Sequence, residues 1–141
     1  MKVREILHSG DFLDYDGNTI RVKFEHYKDI HLNINTTELV TPANGGEYII
    51  EVWVNDNSKE YNYTTFVPGA DEFKSWEWIT LNTMFNEDYI NDEGYTVSKY
   101  KLTVKAKTGS TTRKGTAEIA VSGYSDVSTY PEFTKTIKIT Q

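Results

Sequence analysis

Between positions 61 and 78 the chain brings six aromatic side chains close together: Tyr61, Tyr63, Phe66, Phe73, Trp76 and Trp78. Aromatic faces stack on the apolar faces of sugars and also anchor protein interfaces. This segment is therefore the leading binding candidate, with Tyr61, Tyr63, Trp76 and Trp78 as its ligand or interface residues. A strand repeats every two residues, which puts Tyr61 and Tyr63 on one face and does the same for Trp76 and Trp78. The competing reading is that the tryptophans fill a core, and at least one of them is expected there.

Other groups nominate no reaction. Glu87, Asp88, Asp92 and Glu93 supply carboxylates, but acid–base work needs two of them enclosed with separated pKa values. On an irregular loop they are expected to form a solvated face. Asp14-Tyr15-Asp16-Gly17-Asn18 places oxygen ligands at alternate positions, as calcium loops do. Its glycine comes too early and no bidentate Glu follows at the right distance, so a hairpin turn is expected instead. His8, His26 and His31 lack ligand spacing, and the chain has no cysteine to join them. No nucleophile turn and no glycine-rich phosphate loop is present. The expectation is a non-enzymatic protein with no catalytic residue, no metal and no cofactor.

The elements that must position the aromatics are strands. Tyr, Phe, Trp, Val, Ile and Thr are abundant, and no long segment keeps apolar residues at helical spacing. Val3 to Leu7 reads as a strand, Ser9-Gly10-Asp11 as a turn, and Phe12 to Tyr15 as facing Thr19 to Phe24 across Asp16-Gly17-Asn18. Ile20, Val22 and Phe24 alternate with Arg21, Lys23 and Glu25, so one face of this ribbon must be covered. Val3, Ile6, Phe12, Ile20, Val22 and Phe24 are accordingly the candidate docking residues, because an exposed strand can add to a neighbour's sheet edge. Further strands are expected around Ile30 to Ile34, Glu47 to Val54, Tyr61 to Val67, Trp76 to Leu81, Tyr100 to Ala106, Thr116 to Ser122 and Thr136 to Gln141. Asn82 to Ile90 reads as one or two helical turns or a packed loop. Short strands at regular intervals with turn residues between them predict an all-β, immunoglobulin-like β-sandwich over 29–141, preceded by a strand and hairpin extension over 1–28.

A chain of 141 residues fits one such domain. The net charge of −6 is unevenly spread. Residues 29–96 carry two basic and thirteen acidic side chains, a balance of −11, whereas 97–141 carry eight basic and three acidic, a balance of +5. Such asymmetry supports head-to-tail contacts between copies, unless the fold interleaves the two regions. Overall acidity argues against a nucleic-acid partner. No apolar run approaches a membrane span, and no apolar core follows Lys2 and Arg4 to make a signal peptide.

From about Ile30 onward the chain resembles the BACON family, immunoglobulin-like modules of Bacteroidota and their phages. The resemblance rests on Leu39 with Asn44-Gly45-Gly46-Glu47, Val52-Trp53-Val54, Trp78-Ile79-Thr80-Leu81, Lys105 to Gly115, and Ile137-Lys138-Ile139-Thr140-Gln141. The opening, Ile6 to Ile20, is similar to a leader that precedes such modules in small structural proteins of crAss-like phages. These resemblances imply a virion component, a capsid decoration or head-fibre-associated protein, assembled in the host cytoplasm in multiple copies. Its partners would be other virion proteins, capsid or fibre. The alternative they leave open is a secreted or cell-surface carbohydrate-binding module with weak affinity for host or mucin glycans.

Overall fold

The computed structural model describes residues 2–13, 19–69, 72, 74–122 and 131–141, of which 2–13, 19–28 and 131 are described by their backbone. The chain forms two compact units, Met1–Ile30 and His31–Gln141.

The first unit is an antiparallel ribbon of β1 (Lys2–Leu13) and β2 (Thr19–Asp29). Its register places Phe12 opposite Ile20, Val22 opposite Gly10, Phe24 opposite His8, Ile6 opposite Glu25 and Val3 opposite Lys28. The turn expected at Ser9-Gly10-Asp11 does not form. Those residues pair with Lys23, Val22 and Arg21 inside one continuous strand, and a bulge between Ile6 and His8 absorbs the irregularity. The hairpin turn at Asp16-Gly17-Asn18, like the oxygen-rich Asp14–Asn18 run, lies outside the described residues.

The second unit is an all-β sandwich. One sheet has the order β3 (Leu32–Ile34), β5 (Gly46–Val54), β9 (Thr96–Val104), β7 (Ile79–Thr83), with the two-residue β8 (Tyr89–Ile90) also paired to β9. The other has the order β4 (Glu38–Val40), β11 (Thr134–Thr140), β10 (Lys114–Val121), β6 (Tyr63–Phe66). Among the described strands only β4 and β11 pair in parallel. With β3 and β4 taken as two halves of one first strand, this is the immunoglobulin arrangement, strands 1-2-5-4 on one sheet and 7-6-3 on the other. The first strand changes sheets at Asn35–Thr37. There Asn35 exchanges backbone and side-chain hydrogen bonds with Glu51 (3.1 and 3.0 Å), and Thr37 O accepts from Lys138 N–H at 2.8 Å.

Alternation decides which residues meet between the sheets. Ile50, Val52 and Val54 of β5 are buried while Glu47 and Ile49 are exposed, and Ile137 and Ile139 of β11 are buried around exposed Lys138. Leu32, Leu102, Ile119 and Phe133 are fully buried in the core. The basal end, where β5 begins, is tied by Gln141. Its side-chain amide donates to Pro42 O and Lys105 O, both at 2.9 Å, and its backbone exchanges two hydrogen bonds of 2.9 Å with Arg113.

Trp76 to Leu81 is not a single strand. Residues Ser75–Glu77 form a one-turn 3₁₀ helix, and pairing to β9 begins only at Ile79. The turn is fixed from three sides. Lys74 takes a left-handed φ of 47°, Ser75 Oγ accepts from Thr116 N–H at 3.0 Å, and Trp76 N–H donates to Pro68 O at 2.9 Å. The tryptophans therefore leave the two-residue period. Trp78 is 4% exposed and Trp76 62%. Trp78 reaches the core because β10 carries glycine beside it: a Cβ on Gly115 would lie 2.6 Å from the indole. Asn82 to Ile90 contains no helix; it is the end of β7, a turn and β8.

Candidate functional site

The candidate site lies at the apical end of the sandwich, where β5 finishes at Val54 and β9 begins. The Asn55–Asn62 connection folds over this end. Ser58 N–H donates to Asp56 Oδ1 at 2.9 Å, an Asx turn that reverses the chain, and Asn62 O accepts from Ser122 N–H at 2.7 Å. The result is an open pocket of about 480 Å³. Tyr61 and Tyr63 line it, with Asp56, Asn57, Ser58, Lys59, Glu60 and Asn62 from the same connection. Val54, Asp88, Thr96 and Ser98 complete the wall.

The two tyrosines are held differently. Tyr61 donates its hydroxyl to Asp56 Oδ2, and the Lys59 ammonium sits 5.0 Å from its ring centroid. Tyr63 opens β6 and meets Tyr100 edge to face, with ring centroids 6.4 Å apart and planes at 88°. Burial is the main cause that pushes the Tyr63 phenol up to about 12; nearby Tyr100 adds to it and a hydrogen bond with the Val54 backbone opposes it. Tyr100 is raised for the same first reason, burial. Both rings thus remain neutral hydrogen-bonding groups across the physiological range.

The fold brings together only two of the four sequence-nominated aromatics. Tyr61 and Tyr63 share the pocket, whereas Trp76 belongs to the 3₁₀ turn beside β10 and Trp78 to the core. Arg113 covers Trp78, its guanidinium carbon 4.2 Å from the ring centroid. The exposed Trp76 packs against Gly69, where an added Cβ would come within 2.9 Å of the indole. Phe66 is likewise exposed, on the neighbouring edge strand β6. The docking candidates Val3, Ile6, Phe12, Ile20, Val22 and Phe24 all lie on the ribbon of the first unit.

Sequence reasoning missed the pocket residues Asn57, Ser58 and Glu60, from the same connection as the tyrosines, and Thr96 and Ser98, from the start of β9, distant in the chain. Nothing in their local sequence marks them; only the pairing of β5 with β9 brings Ser98 opposite Val52. Asp88 was visible as part of an acidic run, and the fold gives it a wall position that Glu87, Asp92 and Glu93 lack. Those three carboxylates and Asp88 are exposed. His31 Nε2 lies 3.1 Å from Asn33 Oδ1. No cluster of metal-ligating side chains occurs among the described residues, and no helix there is long and apolar enough to cross a membrane.

Compared with known proteins, the chain matches no family model, no curated protein and no solved structure.

Proposed function

We propose that the chain is a non-enzymatic structural protein of a Bacteroidota (crAss-like) phage virion, a capsid decoration or head-fibre-associated component. In this reading the N-terminal ribbon docks on a neighbouring virion protein and the sandwich is the displayed body. The observation that carries it is the ribbon itself. Strands of 12 and 11 residues form a sheet of two, as a compact unit of its own. A two-stranded sheet is marginal in water and offers two strand edges about 40 Å long. A partner's strand laid along one edge supplies main-chain hydrogen bonds and covers the apolar face that the sequence alternation creates. The test is particle association: the full chain is expected to co-purify with assembled particles and residues 31–141 are not. Equal association by both would contradict the docking role.

A second reading is favoured by the apical pocket. Two tyrosines among amide, hydroxyl and carboxylate groups match the mixture that saccharides recruit, ring faces for stacking and polar atoms for hydroxyls. A glycan array distinguishes it: binding that Tyr61→Ala or Tyr63→Ala abolishes while the fold persists supports a carbohydrate-binding module. Binding unaffected by either substitution removes these aromatics from the site.

A further inference from the structure

On the strands of the sandwich the charges interleave, Glu51 beside Lys99 and Glu38 beside Lys138, but the charges of the connections are sorted to opposite ends. At the apical end the connections Asn55–Asn62, Met84–Asp88 and Asn91–Tyr95 carry Asp56, Glu60, Glu87, Asp88, Asp92 and Glu93 against Lys59, a balance of −5. At the basal end the chain from 105 to 114 carries Lys105, Lys107, Arg113 and Lys114 with no acidic residue. Counting also the described residues of the segment before β7, Glu72, Lys74 and Glu77, leaves these residues at +3. The Pro42–Gly45 turn beside it is uncharged. On the sheet face between the ends, opposite charges meet locally, as in Lys101 and Glu47 at 3.6 Å.

The separation is set by strand direction. β5 and β9 span the sandwich antiparallel over nine residues each, so the loops at their two ends lie roughly 25–30 Å apart. That is several times the screening length of about 8 Å at physiological ionic strength. Each end therefore presents its own sign to an approaching molecule and does not cancel the other.

We infer that the sandwich is a self-complementary coupling unit: the acidic apical end of one copy receives the basic basal end of another. The occupant is a second copy of this chain, because its own basal end supplies the sign that the apical end lacks. Lys105 and Lys114 are exposed and can reach out, and the apical pocket offers carboxylates together with aromatic rings. One of those rings already accepts an ammonium from Lys59 within the chain, at 5.0 Å. The contact joins two different surfaces, so it is heterologous and propagates as a row or closes as a ring. It is independent of the ribbon and of the virion reading.

The test uses the full chain in sedimentation velocity, at about 20 mM and about 500 mM salt, where screening differs severalfold. Concentration-dependent self-association is expected at low salt and its loss at high salt. K74E/K105E/K114E turns the basal balance from +3 to −3, and E60K/E87K/D92K/E93K turns the apical balance from −5 to +3. Each variant alone is expected to lose self-association, while a mixture of the two regains it at low salt. That recovery requires both variants to be folded, which circular dichroism checks. A wild-type chain that stays monomeric at low salt, single variants that associate normally, or folded variants whose mixture does not associate would each overturn the inference.

Discussion

Arg113 lies over the buried indole of Trp78, 4.2 Å from its centroid, while its Nε donates to Gln141 Oε1 at 2.7 Å. One side chain thus closes the basal end of the core and holds the last residue of β11's extension in place. Arg113→Ala is expected to cost about 2 kcal/mol, from one cation–π contact and the hydrogen bonds to Gln141 Oε1 and Lys105 O. Arg113→Lys is expected to recover little of this, because an ammonium has no planar fork to stack and donate at once. Urea unfolding at unchanged slope measures both.

Gly45 and Gly109 both have positive φ, 78° and 86°, but only one is crowded. An added Cβ on Gly45 would sit 2.1 Å from Val104 O, whereas nothing lies within 4 Å of one on Gly109. Gly109→Ala is expected to cost about 1–2 kcal/mol, the left-handed penalty alone. Gly45→Ala is expected to cost more, because Val104 must also move out of its pairing with β5. Comparing the two midpoints separates backbone strain from collision.

Trp78 and Trp76 are two residues apart and are expected to respond oppositely to truncation. Trp78→Ala removes a buried indole and is expected to destabilise by about 3–5 kcal/mol. Trp76→Ala is expected to stay within about 1 kcal/mol, as for an exposed residue. Tryptophan fluorescence during unfolding adds a second readout: the Trp76→Ala protein keeps the signal of its buried indole.

The Tyr63 phenol, raised to about 12 mainly by burial, makes stability fall at high pH. Its folded value exceeds the unfolded value of 10.0, so the folded state holds the proton longer between the two. The contribution is intact below pH 10 and is lost as pH rises through 12. Tyr63→Phe is expected to shallow this alkaline loss and to remove one late-titrating tyrosine from the ultraviolet phenolate curve. An unchanged curve would place Tyr63 in water.

Alternation in Glu47–Val54, Tyr100–Val104 and Thr136–Thr140 was enough to read the sandwich, because each strand buries one face and a slipped register would expose it. The same rule misplaced Trp76, since the 3₁₀ turn depends on Ser75 meeting Thr116, a partner 41 residues away. Ser9-Gly10-Asp11 has turn chemistry, yet cross-strand pairing to β2 overrides it. At the site, Tyr61 and Tyr63 were legible as residue types. Their wall of Asp88, Thr96 and Ser98 was not, because it exists only once β8 and β9 lie beside the β5–β6 connection. Charge asymmetry was legible as composition, and the sorting of the loop charges to two ends came from strand direction.

The central claim is that the ribbon attaches and the sandwich is carried. Its most direct test is to assemble particles in the presence of the full chain or of residues 31–141, then quantify bound protein per particle after gradient purification. The account predicts bound full chain, and a folded but unbound sandwich. A sandwich that binds particles as fully as the intact chain would contradict it.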